Sequence, residues 1–137
     1  MRFLLDTNAV SEIRRQRDPH VRAWANEAHN ADLHLSVLTL GEIRKGIERL
    51  RSRDSAQADV LDGWLGELQA RFAERILPVG NRVADEWGRL NALTPRNTID
   101  SLIAATARVH GLTVVTRNTK DFEGCHVQMV NPWNHDR

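Results

Sequence analysis

The chain has a single cysteine, Cys125, and no tyrosine. One thiol cannot close an intramolecular disulfide, and none of the six histidines falls at a spacing that would complete a zinc site. A reducing, cytoplasmic setting is therefore expected. Long apolar runs are missing too. The N-terminus, MRFLLDTNAV, is interrupted by Asp6 after three apolar residues, too early for a signal peptide or a membrane span. G-x-G-x-x-G, G-x-x-x-x-G-K-[ST] and G-x-S-x-G do not occur, which leaves nucleotide-cofactor chemistry and a serine nucleophile without support. Charge of one sign is also lacking, because 19 Lys and Arg against 18 Asp and Glu leave a net charge of +1. Bulk electrostatics thus name no partner, although Arg14, Arg15 and Arg17, and Arg44, Lys45, Arg49, Arg51 and Arg53, gather locally, as solvated helix faces do. Trp24, Trp64 and Trp87 sit at helical core spacing, so they are expected in the core or at a dimer interface and not as a base-stacking surface.

What is present reads as one ordinary globular domain spanning residues 1–137. It is 41% hydrophobic and 27% charged, and a chain of this size hides roughly two-thirds of its unfolded surface. Short, partly β-branched apolar runs at Phe3–Leu5, Leu33–Val37, Ile76–Val79, Leu112–Thr116 and Val127–Val130 predict buried strands. Helical spacing fills the gaps. Val60, Leu61, Trp64, Leu65, Leu68 and Phe72 share one face, as do Val21, Trp24, Ala25 and Ala28, and Val83, Trp87, Leu90 and Leu93. Thr98–His110 predicts a helix stopped by Gly111 before a strand. Arg49–Ser55 reads as a junction between helices. Strands alternating with helices predict an α/β fold with a mainly parallel sheet covered on both faces.

In such a sheet, ligands bind beyond the carboxyl ends of the strands. Asp6 ends the first strand, Glu42 opens the helix after the second, Asp100 lies in the first turn of the helix before the fourth, and Asp121 follows the fourth. Each has an ordinary structural duty open to it. Asp6 suits an N-cap, Thr39-Leu40-Gly41-Glu42 matches a capping box, Asp100 suits the positive end of a helix dipole, and Asp121 suits a turn beside Asn118. Together they pose a different problem. At about 5 Å and an effective dielectric near 20, each carboxylate pair repels by on the order of 3 kcal/mol. The acids must then take up protons or share a cation, and oxygen-only ligands suit Mg²⁺ or Mn²⁺. Such an ion suits phosphodiester hydrolysis. Thr7, Asn8, Thr116 and Asn118 stand where they would orient the acids.

With these residues in place, the chain resembles the PIN-domain ribonucleases, specifically the VapC-type and FitB-like toxins of bacterial toxin–antitoxin pairs. The matching pieces are LLDTN at 4–8, GEIRKGIERL at 41–50, DSLIAATARVHGLTVVTRNTKDFEG at 100–124 and NPW at 131–133. The resemblance implies a three-layer α/β/α domain with a mainly parallel five-stranded sheet. It also implies a Mg²⁺- or Mn²⁺-dependent endoribonuclease whose four acidic positions are Asp6, Glu42, Asp100 and Asp121. A homodimer is implied as well, with an RNA substrate and a cognate antitoxin whose C-terminal tail covers the cleft, often with an Arg near the acids. Two other readings stay open on the residues alone: a phosphoryl-transfer domain, and a catalytically silent binding module whose acids are only caps and turns.

Overall fold

A computed structural model describes residues 1–92 and 94–136, so Leu93 lies outside the described residues. The strands are β1 (Phe3–Leu5), β2 (Leu33–Ser36), β3 (Ile76–Leu77), β4 (Thr113–Val115) and β5 (Met129–Val130). The helices are α1 (Thr7–Arg15), α2 (Pro19–Glu27), α3 (Val37–Arg51), α4 (Ser55–Phe72), α5 (Asn81–Asn91) and α6 (Thr98–His110). The sheet order is β3-β2-β1-β4-β5 and every paired neighbour is parallel, as the alternation predicts. Because β1 lies between β2 and β4, the order reverses there, and a crevice opens beyond the carboxyl ends of β1 and β4.

Strand periodicity divides the core. Leu5 and Val115 point into a cluster with Val10, Trp24, Ile47, Leu65 and Phe72, from α1 to α4. Their neighbours Leu4 and Val114 point the other way, to Ile103, Ala104 and Ala107 of α6, with Phe122 and Cys125. Leu4 and Leu5 are essentially unexposed, so truncating either to Ala is expected to cost roughly 2–5 kcal/mol.

The element ends depart from the sequence reading for identifiable reasons. β2 stops at Ser36 because the Ser36 hydroxyl accepts the Leu38 amide and starts α3 at Val37. The capping box at Thr39 and Glu42 therefore does not exist: Glu42 is in the helix's second turn. β3 spans only Ile76–Leu77, since Pro78 brings no amide to a ladder, and Val79 is exposed. On α4, Val60 is exposed and falls off the apolar face. Asp54 caps α4 by accepting the Gln57 amide, which confirms the junction between helices. Gly111, at φ +66°, ends α6 in the left-handed conformation expected of it. Cys125 is a buried free thiol. Among the described residues no helix is long and apolar enough to cross a membrane.

Candidate active site

Asp6 follows β1 and is almost fully buried, with 7% exposure. Its amide donates to the Val115 carbonyl at 3.1 Å, tying it to β4. Its Oδ1 accepts the Ala9 amide at 2.8 Å, so it is the N-cap of α1. The cap does not use up the carboxylate, which also faces the crevice. Burial pushes its pKa up, opposed by the Thr116 hydroxyl and the Ala9 amide and assisted by the fields of Glu42 and Asp121.

Asp100 is the third residue of α6. Asn97 caps that helix by accepting the Asp100 amide at 3.1 Å, which fixes the first turn and leaves the Asp100 carboxylate directed elsewhere. Burial raises this carboxyl too, followed by the charges of Asp121, Glu42 and Asp6. Glu42 belongs to α3, and its Oε1 accepts the Thr7 hydroxyl at 2.6 Å, a bond spanning 35 residues of sequence. Asp121 sits on the 3₁₀ turn Thr119–Phe122. Its amide closes that turn on the Asn118 carbonyl, and the next residue, Phe122, is 1% exposed and anchors the turn in the core. The Thr116 hydroxyl accepts the Asn118 amide at 3.0 Å, shaping the loop between β4 and the turn.

All four acids, with Thr7, Asn8, Thr116 and Asn118, line one cleft of about 170 Å³, floored by Ile103 and Phe122. Among the described residues, none of the four carboxylates pairs with a Lys, Arg or His. Nor do any three His, Cys, Asp or Glu side chains there converge into a group that encloses an ion. The acids share a cleft and feel each other's fields, and they remain spread along its walls.

The sequence reading did not find two features of this site. Ile103 lies three residues after Asp100 and so shares its helix face, a spacing that would have revealed it. The second is a groove of about 320 Å³ that shares Thr7 and Glu42 with the cleft and is rimmed by Arg14, Arg15 and Arg53 beside Trp64. Trp64 is half-buried, with the Arg14 guanidinium 5.3 Å from its ring centroid. Trp24 is core, and Trp87 is half-buried and donates to Ser101 at 3.0 Å, joining α5 to α6. The clustered arginines also divide here, across both basic runs. Arg44 and Arg51 are engaged by Glu48, Asp59 and Asp62, whereas Arg14, Arg15 and Arg53 have no carboxylate partner among the described residues.

Known proteins carry the same architecture. The toxin FitB of Neisseria gonorrhoeae is 36% identical to this chain, over 98% of this chain and 99% of FitB. The VapC ribonuclease Y4jK of Sinorhizobium fredii is 33% identical, over 96% and 97% of the two chains. The crystal structure of FitAcB from Neisseria gonorrhoeae matches with a TM-score of 0.89 at 34% identity, covering 96% of this chain and 99% of that one. The PIN domain as a family matches residues 3–124, which hold all four acids of the cleft. On the fold, the sheet order and that match, the chain belongs to the PIN-domain family, in the branch that includes VapC and FitB.

Proposed function

We propose that this protein is a metal-dependent endoribonuclease toxin, working in the cytoplasm as a homodimer and restrained by a cognate antitoxin. The observation that carries the reading is the cleft itself: four carboxylates from four separate chain segments line it, and among the described residues no cationic side chain pairs with them. Two relatives bear names in keeping with this, one a toxin and one a VapC ribonuclease. FitAB and the VapBC of Salmonella typhimurium, which match this fold, are both named as bound to DNA.

The donor set fits a hard divalent ion, being all oxygen, acidic and partly desolvated. Asp6 and Asp100 would hold Mg²⁺ or Mn²⁺, with Glu42 and Asp121 completing the acidic wall. When bound, such an ion supplies acidification of water and stabilisation of charge on the phosphodiester. The chain's own residues do the rest. The Ala9 cap fixes the Asp6 carboxylate, Thr7 turns the Glu42 carboxylate toward the cleft, and the Asn118 amide holds the Thr116 hydroxyl beside Asp6. Arg14, Arg15 and Arg53 grip the RNA backbone as it leaves the cleft through the adjoining groove. An antitoxin tail that brings an Arg to the acids would neutralise them as a cation does and block the cleft.

The test is cleavage of defined RNAs by toxin freed of antitoxin, with and without EDTA. Cutting that stops with EDTA and returns with added Mg²⁺ or Mn²⁺ is expected. Cutting that persists in EDTA would exclude the metal mechanism. No cutting of a broad RNA panel at any metal concentration would favour the silent binding module.

A further inference from the structure

The geometry points to Arg96 as the positioning residue that fixes Asp100 and Asp121 relative to each other. Arg96 lies one residue before Asn97, the cap of the helix that bears Asp100, and its own amide donates to Asn91 Oδ1 at 3.2 Å. Its Nη1 donates to the Glu123 carbonyl at 2.8 Å, two residues beyond Asp121. One side chain thus ties the start of α6 to the loop after β4, across 27 residues of sequence. No hydrogen bond among the described residues joins Asp100 to Asp121 directly, and their mutual repulsion pushes the two segments apart.

Two further observations support the contact. The Nε of Arg96 is buried with no hydrogen-bond partner among the described residues, a costly placement that the bond from its Nη1 to the Glu123 carbonyl helps offset. Gly124 adopts φ +79° and presents a bare α-carbon to the guanidinium. A β-carbon there would lie 2.8 Å from Arg96 Nη2, so a side chain at 124 would shift the guanidinium as well as strain the left-handed backbone. The glycine thus leaves the guanidinium its present place beside the loop.

The inference rests on the cleavage reading for its catalytic consequence and has a readout that does not. In metal-free protein, Arg96→Ala is expected to speed hydrogen exchange of the 119–124 amides while leaving α1 and α3 unchanged. In cleavage, Arg96→Ala is expected to lower kcat between about ten- and a hundred-fold with KM unchanged, the scale of a small misplacement of reacting groups. Added guanidinium ion should restore part of that rate. Gly124→Ala, which keeps the arginine, is expected to reproduce the kcat loss. Glu123→Ala, which keeps the main-chain acceptor, is expected to be neutral. If kcat stays at the parental value in Arg96→Ala, or if exchange in 119–124 is unaltered, the positioning role is wrong. A kcat loss that tracks melting temperature and resists guanidinium would reduce Arg96 to a stability residue, which also overturns it. Parental protein that cleaves no RNA would count against the cleavage reading alone, because the exchange experiment decides the role of Arg96 by itself.

Discussion

The two halves of the cleft are built in opposite ways. Asp6 caps α1 and Glu42 stands in the second turn of α3, linked by the 2.6 Å bond that Thr7, next to Asp6, donates to Glu42, while Asp6 is locked by its own cap and by β4. Asp100 and Asp121 stand on a helix start and an exposed turn, held in relation by the Phe122 side chain packed on α6, by main-chain capping and by the reach of Arg96. The first half centres on a carboxylate that is almost fully buried. The second is more open, so its geometry leans more on one long side chain. The contrast teaches where an acidic site can keep order: deep burial lets the cap lock the Asp6 carboxylate and raises its pKa, whereas the less buried Asp100, also raised, needs a separate device to fix its position.

The largest effect should come from removing charge in either half. Asp6→Asn and Asp100→Asn are each expected to lower RNA cleavage by at least about a hundred-fold, because under the proposed mechanism each takes away a carboxylate that would hold the divalent ion. Asparagine keeps the Asp6 cap, so the fold should survive, as circular dichroism can check. Parental rates in Asp6→Asn would show that the buried half is only structural, and the comparison would collapse into one working half. A smaller effect should follow from Thr7→Val, which keeps the shape and deletes the hydroxyl that orients Glu42. A fall of roughly ten-fold in kcat is expected, within the range seen when a supporting group behind a metal ligand is removed. A Glu42→Gln, Thr7→Val double variant no worse than Glu42→Gln alone would confirm that Thr7 acts through Glu42.

Much of this was legible before the coordinates. The alternation of Leu4 and Leu5, and of Val114 and Val115, already separates the two faces of the sheet, and the rule for parallel α/β sheets then sends Asp6, Asp100 and Asp121 to one edge. Glu42 was assigned to the correct helix, and only the capping-box duty left open to it fails, because the Ser36 cap moves the helix start back and no sequence pattern ranks Ser36 above Thr39 as a cap. The Thr7–Glu42 bond spans 35 residues and depends on how α1 and α3 sit side by side, which periodicity does not encode. The same reason hides the engagement of Arg44 and Arg51 by α4, since the acids that meet them are set by the rotation of a second helix. Arg96 gave no signal, as an arginine in a short polar loop resembles any solvated one.

The smallest expected effect concerns stability, and its sign separates the halves most sharply. Asp6 and Asp100 both have raised pKa values, so the folded chain binds their protons more tightly than the unfolded chain does. The resulting stabilisation is complete below the ordinary aspartate value of about 3.9 and is lost as pH rises through the higher folded values. At neutral pH the carboxylates therefore oppose folding. Metal-free Asp6→Asn should melt above the parent at pH 7 and match it at the acid end of the range. Asp100→Asn should show the same pattern with a smaller rise, because Asp100 is only half-buried and water already screens it. Adding Mn²⁺ should raise the parent's melting temperature and not that of Asp6→Asn, since an ion held by the folded acids stabilises by mass action. Calorimetry across pH, with and without Mn²⁺, checks all three. An Asp100→Asn gain that equals or exceeds that of Asp6→Asn would mean that the open half carries as much strain as the buried one, and that burial is not what distinguishes them.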